Sequence, residues 1–575
     1  MNCEFKIAIP NNEPIKSYAE GTIERSNLKE ALKELSSKVI EIPLIIDGKE
    51  IYTGVTEEFV MPHDKGHVLA RYHKATEKEL KMAIEASMKA KERWESTSWY
   101  QRAAIFNKAA EILSTRKRAL INASTMLGQS KTAYQAEIDS ACELIDFLRF
   151  NAYFMNEIYK SQPESTVDCW NRTEYRPLEG FVLAISPFNF TAIGGNLCAA
   201  PAIMGNTVIW KPAGTAVYSN YLFMQILMEA GLPAGVINFV PSSGKLISEV
   251  CVKSKDLAGI HFTGSTEVFQ TLWKNVADNL VNYKSYPRLV GETGGKDFIF
   301  ADNTTNIKEL STAIIRGAFE YQGQKCSAAS RAYVPASLWP ALKEELIADV
   351  NEIKLGDVRD FDTFLSAVID KNSFDNAMGY INRAKNSKDA EIVAGGYGSD
   401  EVGYFVKPTI IQALKPDYES MVQEIFAPIM TIYVYEDAEF EKALELCDTT
   451  SMYGLTGAIF SNDRYNIEHM LFKLRNAAGN FYINDKPTGA VVGQQPFGGG
   501  RASGTNDKAG SLLNLLRWVS PRTVKENLCP PTNFKYAYMT ENEPLVKGAC
   551  CPSGACSSTT ISQADYALDF ISFDR

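Results

Sequence analysis

With 575 residues, the chain is too long for one compact hydrophobic core, so we expect two or three domains. Apolar residues make up 45% of the chain and charged residues 22%, as in ordinary globular proteins. The net charge of −10 disfavours nucleic acid as a partner, and no apolar run reaches the roughly 18 residues that a membrane span requires.

The cysteines and histidines predict free thiols and no metal site. Eleven cysteines form an odd set without disulfide-like spacing, which is typical of a reducing compartment. His63 and His67 are four residues apart, but Pro62 and Gly66 argue against a helix that would align them as ligands. The first residues contain neither a long apolar stretch nor an Arg-rich amphipathic helix, so no presequence is visible.

The first predicted helices run from about residue 76 to about residue 158. Thr76 and Glu79 are spaced as a capping box, which marks the start of a helix. Apolar residues then recur every four positions from Leu80 to Met88, which is the period of one buried helix face.

A strand–helix alternation with a period of about 25 residues follows. The helical pattern at 219–231 ends at Gly231, and the alternation predicts βαβ units in a parallel sheet. Ligands bind beyond the carboxyl ends of such strands, which is where Asn189, Lys211 and Ser265 lie. The strand-like runs are FVLAIS at 181–186, TVIWK at 207–211, VINFV at 236–240 and GIHFT at 259–263.

Three further segments complete the chain. The polar, β-forming residues at 160–178 interrupt the alternation and predict a hairpin. A second alternation begins near residue 311, with strands at SRAYVP, PTIIQAL, IMTIYVYE and GAIFS, and the glycine-rich block 479–510 is predicted to be loop. The tail 541–575 lacks periodicity and is predicted to be disordered.

Cys326 is the first candidate for chemistry, because it lies among small residues in FEYQGQKCSAASRAY, residues 319–333. A free cysteine is most often a buried filler residue, and the alternative is a nucleophile that needs space for a substrate. None of the five histidines lies near it in sequence, so the spacing gives no support for a Cys–His pair.

Three other motifs each have an ordinary and a functional interpretation. Glu292 in LVGETGGKD is either exposed in a turn or a general base for water. Asn189 in SPFNF is either a turn residue or an amide donor to an oxyanion, a contribution of about 2.7–4 kcal/mol. FTGSTEV at 262–268 lacks the GxGxxG pattern, but Gly264 permits a turn, and Ser265 with a helix N-terminus could hold a phosphate.

The combination is more specific than its parts. A thiol nucleophile, a carboxylate base, an amide donor and a phosphate-binding turn fit the oxidation of an aldehyde through a covalent thioester. Cys326 would attack the aldehyde, Asn189 would hold the oxyanion, and Glu292 would activate water to hydrolyse the thioester.

The ordered motifs SPFNF, WKPAG, FTGS, ETGGK, GQKCSAASR, EIFAP and PFGG resemble the aldehyde dehydrogenase superfamily. Longer stretches, such as AFEYQGQKCSAASRAYVP and the closing LRWVSP, resemble the eukaryotic Δ1-pyrroline-5-carboxylate dehydrogenases within it. The resemblance extends from about residue 12 to about residue 540.

The resemblance implies an α/β fold with a Rossmann-type NAD domain, an α/β catalytic domain and a small β oligomerisation flap. The implied segments are an N-terminal arm with the helical part of the NAD-binding domain (1–158), an oligomerisation hairpin (159–178), the Rossmann-type NAD-binding domain (179–305), the catalytic domain (306–510), a C-terminal oligomerisation segment (511–540) and the cysteine-containing tail (541–575).

Residue by residue, the resemblance makes Cys326 the nucleophile, Glu292 the general base and Asn189 the oxyanion donor. It implies NAD as the cofactor and no metal. The NAD-binding residues that it implies are Ser186, Lys211, Gly264, Ser265, Thr266, Glu267, Val268, Glu424 and Phe426.

The substrate implied by the resemblance is L-glutamate γ-semialdehyde, the open form of 1-pyrroline-5-carboxylate, which is oxidised to L-glutamate in proline catabolism. Its carboxylate is expected at Ser327 and at the backbone N–H groups of Gly489 and Ala490. The other implied substrate-binding residues are Phe188 and Phe497, which would pack the aliphatic chain, and Glu137 and Lys325, which would line the pocket.

One departure from the family concerns the cofactor. Ala213 and Gly214 occupy positions where the family commonly has Ser and an acidic residue, which would bind the ribose 2′-hydroxyl and repel a 2′-phosphate. The sequence therefore leaves open whether the chain also uses NADP. The cysteine-containing tail has no counterpart in the resemblance.

Other functions and the cellular context stay open at this point. The alternatives are a dehydrogenase for another carboxylated aldehyde such as succinic semialdehyde, a cysteine hydrolase without redox chemistry, and a non-catalytic protein with the same fold. The resemblance implies a homodimer or higher homo-oligomer with a small-molecule substrate. It also implies the mitochondrial matrix, with the cytoplasm as the alternative.

Overall fold

The computed structural model describes residues 6–539, so the predicted tail at 541–575 lies outside the described residues. The strands are β1 (Ile40–Ile42), β2 (Leu44–Ile46), β3 (Lys49–Ile51), β4 (Thr56–Met61), β5 (Asp64–His73), β6 (Cys169–Pro177), β7 (Phe181–Ile185), β8 (Thr207–Lys211), β9 (Ile237–Phe239), β10 (Leu257–Thr263), β11 (Arg288–Glu292), β12 (Asp297–Ala301), β13 (Ala329–Pro335), β14 (Ala390–Ala394), β15 (Gly398–Ser399), β16 (Phe405–Val406), β17 (Thr409–Ala413), β18 (Ile429–Tyr435), β19 (Tyr453–Gly454), β20 (Thr456–Phe460), β21 (Asn480–Ile483), β22 (Gly500–Arg501) and β23 (Val519–Asn527).

The α-helices are α1 (Ile23–Ser36), α2 (Glu77–Ser96), α3 (Trp99–Ser114), α4 (Arg118–Gln129), α5 (Ala133–Ala136), α6 (Leu144–Lys160), α7 (Thr191–Ile203), α8 (Val217–Ala230), α9 (Gly244–Ile247), α10 (Thr266–Asp278), α11 (Ile307–Phe319), α12 (Trp339–Glu352), α13 (Lys371–Lys385), α14 (Glu419–Val422), α15 (Phe440–Thr449), α16 (Arg464–Lys473) and α17 (Leu512–Leu516). A π-helix, Glu137–Glu143, joins α5 to α6.

Two helix boundaries follow the local signals in the sequence. Thr76 and Glu79 form the capping box at the start of α2. Helix α8 ends at Gly231, whose left-handed conformation (φ 101°) has no Cβ penalty in glycine. Both boundaries were predicted from the sequence and are confirmed.

The first of two seven-stranded sheets has the strand order β11-β10-β7-β8-β9-β2-β3. Strands β11, β10, β7, β8 and β9 are parallel, with β8 beside β7 in the register Val182 to Val208. Since both faces of these strands are covered, their apolar residues form continuous runs rather than an alternation. The predicted parallel sheet is therefore confirmed.

The second sheet has the order β14-β17-β18-β13-β12-β20-β21 and is parallel except for the β14–β17 pair. Its strands include all four that the second alternation predicted. Asn189 and Ser265 lie in the segments that follow β7 and β10, Glu292 is the last residue of β11, and Cys326 lies just before β13. The α/β fold class is confirmed by this arrangement.

The chain divides into two compact units. Among the described residues, the larger one comprises 6–160 together with Tyr175–Ser520, and the smaller one comprises Ser161–Glu174 and 521–539. The predicted hairpin at 160–178 has one regular strand, β6, which pairs with β23. Its first arm is not a strand, because it contacts the second arm through the side chains of Gln162 and Ser165.

Within residues 6–539, no helix is long and apolar enough to cross a membrane. The seven cysteines in that range are all free thiols. No group of three or more His, Cys, Asp or Glu side chains there is arranged to hold a metal ion. His63 instead forms a hydrogen bond with the Ser130 hydroxyl at 2.8 Å.

Candidate active site

Cys326 and Glu292 lie together in a cavity of about 430 Å³ in the larger unit. The thiol donates a hydrogen bond to Glu292 Oε1 at 3.4 Å. Burial raises the pKa of the Cys326 thiol well above its usual range, and the charge of Glu292 raises it further. Burial also raises the pKa of Glu292 to about 7, so near neutral pH this carboxyl can accept a proton or release one.

A strained turn places Cys326 at the cavity. Tyr321, Gln322 and Gly323 have positive φ angles of 52°, 57° and 66° in succession. A Cβ on Gly323 would lie 2.4 Å from the carbonyl oxygen of Ala427, so only glycine fits there. Gln322 is held by hydrogen bonds from its Nε2 to two backbone carbonyls, at 2.9 and 2.7 Å, which stabilises a conformation that costs about 1–3 kcal/mol per residue.

Asn189 lies in the bend between β7 and α7 and is 3% exposed. Its Nδ2 donates to the carbonyl oxygen of Gln324 at 3.1 Å, two residues before the thiol. An amide nitrogen carries two N–H groups, so this bond orients the side chain and leaves one donor for a ligand. The backbone N–H of Cys326 likewise donates no hydrogen bond to any residue in the range 6–539.

Lys508 is a charged residue of the cavity that sequence reasoning missed. Its Nζ donates to the carbonyl oxygens of Gly479 and Gly498 at 2.8 and 2.9 Å. Its positive charge lowers the pKa of Glu292, which partly offsets the effect of burial. The signal was hidden because Lys508 lies in the glycine-rich block, where the sequence predicts only a loop.

Two backbone donors and two hydroxyls form an anion-binding wall on the same cavity. The N–H groups of Gly489 and Ala490 donate no hydrogen bond within the part of the chain that the structure describes. Ser327 and Thr488 lie beside them, with their hydroxyl oxygens 2.8 Å apart. Gly489 has a φ of 102°, a conformation that glycine adopts without strain. Unpaired N–H groups of this kind suit a carboxylate.

Glu137 does not line the cavity, contrary to the prediction from the sequence. Its carboxylate is fully buried and pairs with the Arg118 guanidinium. It also accepts hydrogen bonds from the Tyr18 hydroxyl at 2.7 Å and from Asn122 Nδ2 at 2.9 Å. A carboxylate with this set of donors has a structural role and is not available to a ligand.

Glu143, at the other end of the π-helix, lines the cavity instead. It forms no hydrogen bond or ion pair with any residue between 6 and 539. Burial raises the pKa of its carboxyl well above the usual range, and the nearby charges of Asp139 and Glu292 add to this effect. A half-buried carboxyl without a partner suits a cation or a hydrogen-bond donor.

The remaining predicted substrate residues divide into two groups. Phe497 and Lys325 line the cavity, and Lys325 Nζ lies 3.2 Å from Glu320 Oε2. Phe188 does not line it: its ring packs edge-on against that of Phe426, with the centroids 5.8 Å apart. Phe190, two residues further on, lines the cavity in its place.

The carboxyl end of the first sheet carries the predicted cofactor residues. Ser186 lies at the end of β7 and accepts a hydrogen bond from Trp210 Nε1 at 3.0 Å. Lys211 ends β8, and its ammonium forms no hydrogen bond or ion pair with any described residue. Burial lowers the pKa of Lys211, so an anion or hydroxyl partner would stabilise its charged form.

The N-terminus of α10 lies beyond β10 on the same edge. Ser265 caps the helix by accepting a hydrogen bond from the Val268 N–H at 3.4 Å. Ser265, Glu267 and Val268 are exposed, and Thr266 Oγ1 accepts from the Gly294 N–H at 3.3 Å. The first N–H groups of this 13-residue helix have no partner within the helix and can bind a phosphate.

Glu424 and Phe426 lie near this edge through the Gly294–Gly295 turn. The Gly295 N–H donates to Glu424 Oε1 at 2.9 Å, and a Cβ on Gly294 would lie 2.3 Å from Glu424 Oε2. Burial raises the pKa of Glu424 to about 7. Phe426 has a positive φ of 59°, which orients its ring toward Phe188.

The position of Gly214 explains the absence of an acidic residue there. A Cβ at this position would lie 2.5 Å from the Tyr72 hydroxyl, and Tyr72 is 5% exposed. A side chain at residue 214 would require Tyr72 to move, which disfavours the carboxylate that would repel a 2′-phosphate.

Comparisons with known proteins identify the family of the chain. The model of the aldehyde dehydrogenase family matches residues 53–524. The delta-1-pyrroline-5-carboxylate dehydrogenase of Dictyostelium discoideum, named as mitochondrial, is 56% identical over 93% of this chain and 97% of its own length. The mitochondrial enzyme of the same name from Homo sapiens is 49% identical over 92% of this chain and 94% of its own. The crystal structure of the Mycobacterium tuberculosis delta-pyrroline-5-carboxylate dehydrogenase bound with NAD superimposes with a TM-score of 0.91 at 48% identity, covering 94% of this chain and 100% of that one.

Proposed function

The chain belongs to the aldehyde dehydrogenase family, and we propose that it oxidises L-glutamate γ-semialdehyde, the open form of 1-pyrroline-5-carboxylate, to L-glutamate with NAD. The observation that carries the proposal is a single cavity that holds a thiol–carboxylate pair and an unpaired carboxylate-binding wall. Cys326 and Glu292 supply the chemistry, while Gly489 and Ala490 supply the selectivity.

The residues at the edge of the first sheet fit NAD. The unpaired ammonium of Lys211 suits the ribose hydroxyls of the adenosine half, and the N-terminus of α10 at Ser265 suits the pyrophosphate. Glu424, held by the Gly295 N–H, suits the hydroxyls of the second ribose. When bound, NAD accepts the hydride that leaves the substrate carbon.

The first step forms a covalent bond between the enzyme and the aldehyde. Glu292 takes the thiol proton of Cys326 across the 3.4 Å hydrogen bond, and the sulfur attacks the aldehyde carbon. The C=O electron pair moves to the oxygen, which becomes an oxyanion. The free N–H of the Asn189 amide and the backbone N–H of Cys326 are placed to stabilise that charge.

The second half of the reaction releases the product. Loss of hydride from the tetrahedral carbon restores a C=O bond and leaves a thioester on Cys326. Glu292, after releasing the thiol proton to solvent, takes a proton from a water molecule as the water oxygen attacks the thioester carbon. The C–S bond breaks, the thiolate leaves, and the carboxylic acid product is formed.

The substrate carries charges that match the cavity walls. Its α-carboxylate fits the N–H groups of Gly489 and Ala490 with the Ser327 hydroxyl. Its α-ammonium can donate a hydrogen bond to Glu143, the unpartnered carboxyl of the cavity, and its positive charge would lower the raised pKa of that carboxyl and favour its ionised form. Both charges of an amino acid are therefore accommodated, which favours glutamate semialdehyde over succinic semialdehyde, which has no amino group.

The test is a steady-state assay of 1-pyrroline-5-carboxylate and succinic semialdehyde, each with NAD and with NADP. We expect kcat/KM for the pyrroline substrate with NAD to exceed that for succinic semialdehyde by about 100-fold or more, because two charged contacts distinguish them. Equal or reversed values would refute the substrate assignment. The NADP arm measures how far the missing carboxylate at Gly214 relaxes cofactor choice.

We propose that the chain is a homodimer or a higher homo-oligomer. The smaller unit contains only a two-stranded sheet among the described residues, and such a sheet is marginally stable by itself. Val167 and Trp170 of this unit are 97% and 55% exposed. Sedimentation equilibrium tests the proposal, and a monomer at micromolar concentration would contradict it.

We propose the mitochondrial matrix as the compartment. The proposal is supported by the relatives from Dictyostelium discoideum and Homo sapiens, which are named as mitochondrial. Fractionation of cells that express the chain at its natural level tests this, and recovery in the cytosolic fraction alone would refute it.

A further inference from the structure

The N-terminal arm, residues 7–18, forms part of the cavity wall although it is remote in sequence from the catalytic residues. Asn12, Glu13 and Ile15 line the same cavity as Cys326. Neither the motifs nor the proposed chemistry gives these residues a function. Their contacts lead to the loop 488–495, which carries the carboxylate-binding N–H groups.

Asn12 is the residue that joins the arm to this loop. Its Nδ2 donates to the carbonyl oxygen of Val492 at 2.8 Å, and its Oδ1 accepts from Gln494 Nε2 at 2.8 Å. The same Nδ2 donates to Asp146 Oδ2 at 2.8 Å. The donor and the acceptor of the Asn12 side-chain amide are thus both used to hold the loop against α6.

Only a short segment of the loop separates the residues that Asn12 contacts from the anion-binding N–H groups of Gly489 and Ala490, and a hydrogen-bonded turn lies beside it. The carbonyl of Val491 accepts hydrogen bonds from the N–H groups of Gln494 and Gln495, each at 3.0 Å, which closes a tight turn. The Val492 side chain is 6% exposed and packs in the hydrophobic core. Ala490 lies two residues before Val492, so a shift of the Val492 carbonyl can be transmitted to the Ala490 N–H through the short segment between them.

The arm is fixed on its other side, so it can serve as a rigid support. The Glu13 N–H donates to Asp146 Oδ1 at 2.8 Å, and the Glu13 carboxylate pairs with Arg118 and with Arg149, the latter at 2.6 Å. The Lys16 N–H donates to Glu137 Oε1 at 2.8 Å. These partners belong to α4, α6 and the π-helix, which are separate from the loop.

We propose that Asn12 is a positioning residue that sets the geometry of the carboxylate site, so that the N-terminal arm determines selectivity for carboxylated aldehydes. The identity of the substrate in this inference rests on the proposed function. Asn12 does not touch the reacting carbon, so its effect is transmitted through the loop. It therefore changes the binding of the carboxylate and leaves hydride loss and thioester hydrolysis as they are.

The experiment compares Asn12→Ala with Asn11→Ala in the full chain. Asn11 is exposed, and its side chain forms no hydrogen bond with the described residues, so it is a matched control one position away. For Asn12→Ala we expect KM for glutamate semialdehyde to rise about tenfold and kcat to change less than twofold, because two hydrogen bonds to the loop are lost. For propanal, which has no carboxylate, KM should stay within twofold of the parent value.

Equal increases in KM for both aldehydes, or a fall in kcat for both, would show that Asn12 only maintains the fold and would overturn the inference. An unchanged KM for glutamate semialdehyde would also overturn it. Gln494→Ala, an exposed residue, covers the case in which Asn12→Ala does not fold. It should raise KM for the carboxylated aldehyde about threefold. In the double variant with Asn12→Ala, it should raise KM by less than threefold relative to Asn12→Ala alone, because the two residues share one hydrogen bond.

Failure of the proposed function has a different signature. If the parent chain prefers succinic semialdehyde, the proposed substrate is wrong, but the same selective rise in KM with Asn12→Ala is expected for that carboxylate. If the parent chain prefers propanal to both carboxylated aldehydes, the carboxylate site and this inference are both overturned.

Discussion

At rest, the thiol of Cys326 is held in its protonated form by its surroundings. Burial is the main cause of its raised pKa, and the carboxylates of Glu292 and Asp297 add to it. A protonated thiol is a poor nucleophile, so reaction requires a base within hydrogen-bonding distance. Glu292 is that base, and the thiol becomes reactive when this carboxyl is ionised.

Replacing Cys326 by Ala should lower turnover by more than about 10³-fold, since no thioester can form. NAD binding, measured by fluorescence titration, should stay within about twofold because Cys326 is not one of the proposed cofactor residues. The matched control is Cys142→Ala, a second buried cysteine on the same cavity, which should retain turnover within about threefold. Appreciable residual activity in Cys326→Ala would exclude its role as the nucleophile.

The pH profile should report the ionisation of Glu292. Its pKa is raised to about 7, so the carboxyl is mostly protonated at pH 6 and mostly ionised at pH 8. Only the ionised form can act as a base, so we expect kcat to rise about tenfold between these values and then level off.

In Glu292→Gln, hydrolysis of the thioester should slow more than hydride transfer. Mixing with substrate should then give a burst of about one NADH per active site that is slower than in the parent, because Cys326 has lost its base. A still slower steady-state rate should follow, without the rise between pH 6 and pH 8. A variant with the parent's steady-state rate or pH slope would contradict the assignment.

Glu143 and Glu137 offer a direct comparison between the site in the structure and the site that the sequence implied. Glu143→Gln should raise KM for glutamate semialdehyde about tenfold and leave KM for succinic semialdehyde unchanged, because only the former has an ammonium group. Glu137→Gln should instead lower the stability of the fold by about 3 kcal/mol, because the Arg118 guanidinium loses a buried charged partner. A selective change in KM for Glu137→Gln rather than Glu143→Gln would reverse the two roles.

At the scale of the elements, the sequence predicted most accurately the features that depend on neighbouring residues, such as strands and helix ends. The four apolar runs of the first sheet are strands, because a short β-branched run bounded by turn residues can be buried on both faces. The resemblance implied that Glu137 lines the pocket, but the cavity is lined by Glu143, at the other end of the π-helix Glu137–Glu143. Matching motifs do not show which way each side chain of a π-helix faces. The N-terminal arm was missed for another reason: Asn12 and Val492 are 480 residues apart, and no local spacing indicates such a contact.

The loop 488–495 is the element on which substrate selectivity should depend. Ala490→Leu should raise KM for glutamate semialdehyde about tenfold or more, because a larger side chain beside the N–H groups displaces the carboxylate. Hydride transfer from propanal, which does not need the loop, should keep its kcat within about twofold. Steady-state kinetics with both aldehydes measure the difference, and an unaltered KM for the carboxylated substrate would place its carboxylate elsewhere.

At the scale of the whole molecule, both seven-stranded sheets belong to one compact unit, whereas the domain boundaries near 305 and 510 stay predictions. The turn around His63 connects distant parts of this unit. The Lys65 N–H donates to the Val402 carbonyl at 2.9 Å, and the Tyr404 N–H donates to the Pro62 carbonyl at 3.1 Å. His63 itself contacts the Ser130 hydroxyl on one side and lies 3.6 Å from Asp357 on the other.

Such a junction should make global stability depend on pH through His63. Burial is the main cause that lowers its pKa from 6.5 to about 4, and the positive charges of Arg359 and His67 lower it further. The carboxylates of Asp357 and Asp64 raise the pKa but do not offset this effect. Between pH 6.5 and pH 4 the unfolded chain therefore binds a proton that the folded chain excludes, so stability present above pH 6.5 is lost as the pH falls.

We predict that the parent chain exceeds His63→Asn in free energy of unfolding at pH 8, where the imidazole is neutral in both states and keeps its bond to Ser130. At pH 5 this advantage should shrink by about 2 kcal/mol, since only the parent has to release the proton on folding. Urea denaturation of both chains at the two pH values measures the difference. The comparison cancels the contributions of the other titrating groups, which both chains share. A constant difference between the two chains would mean that His63 is not held neutral by the fold, and the junction would then owe its stability to the backbone hydrogen bonds alone.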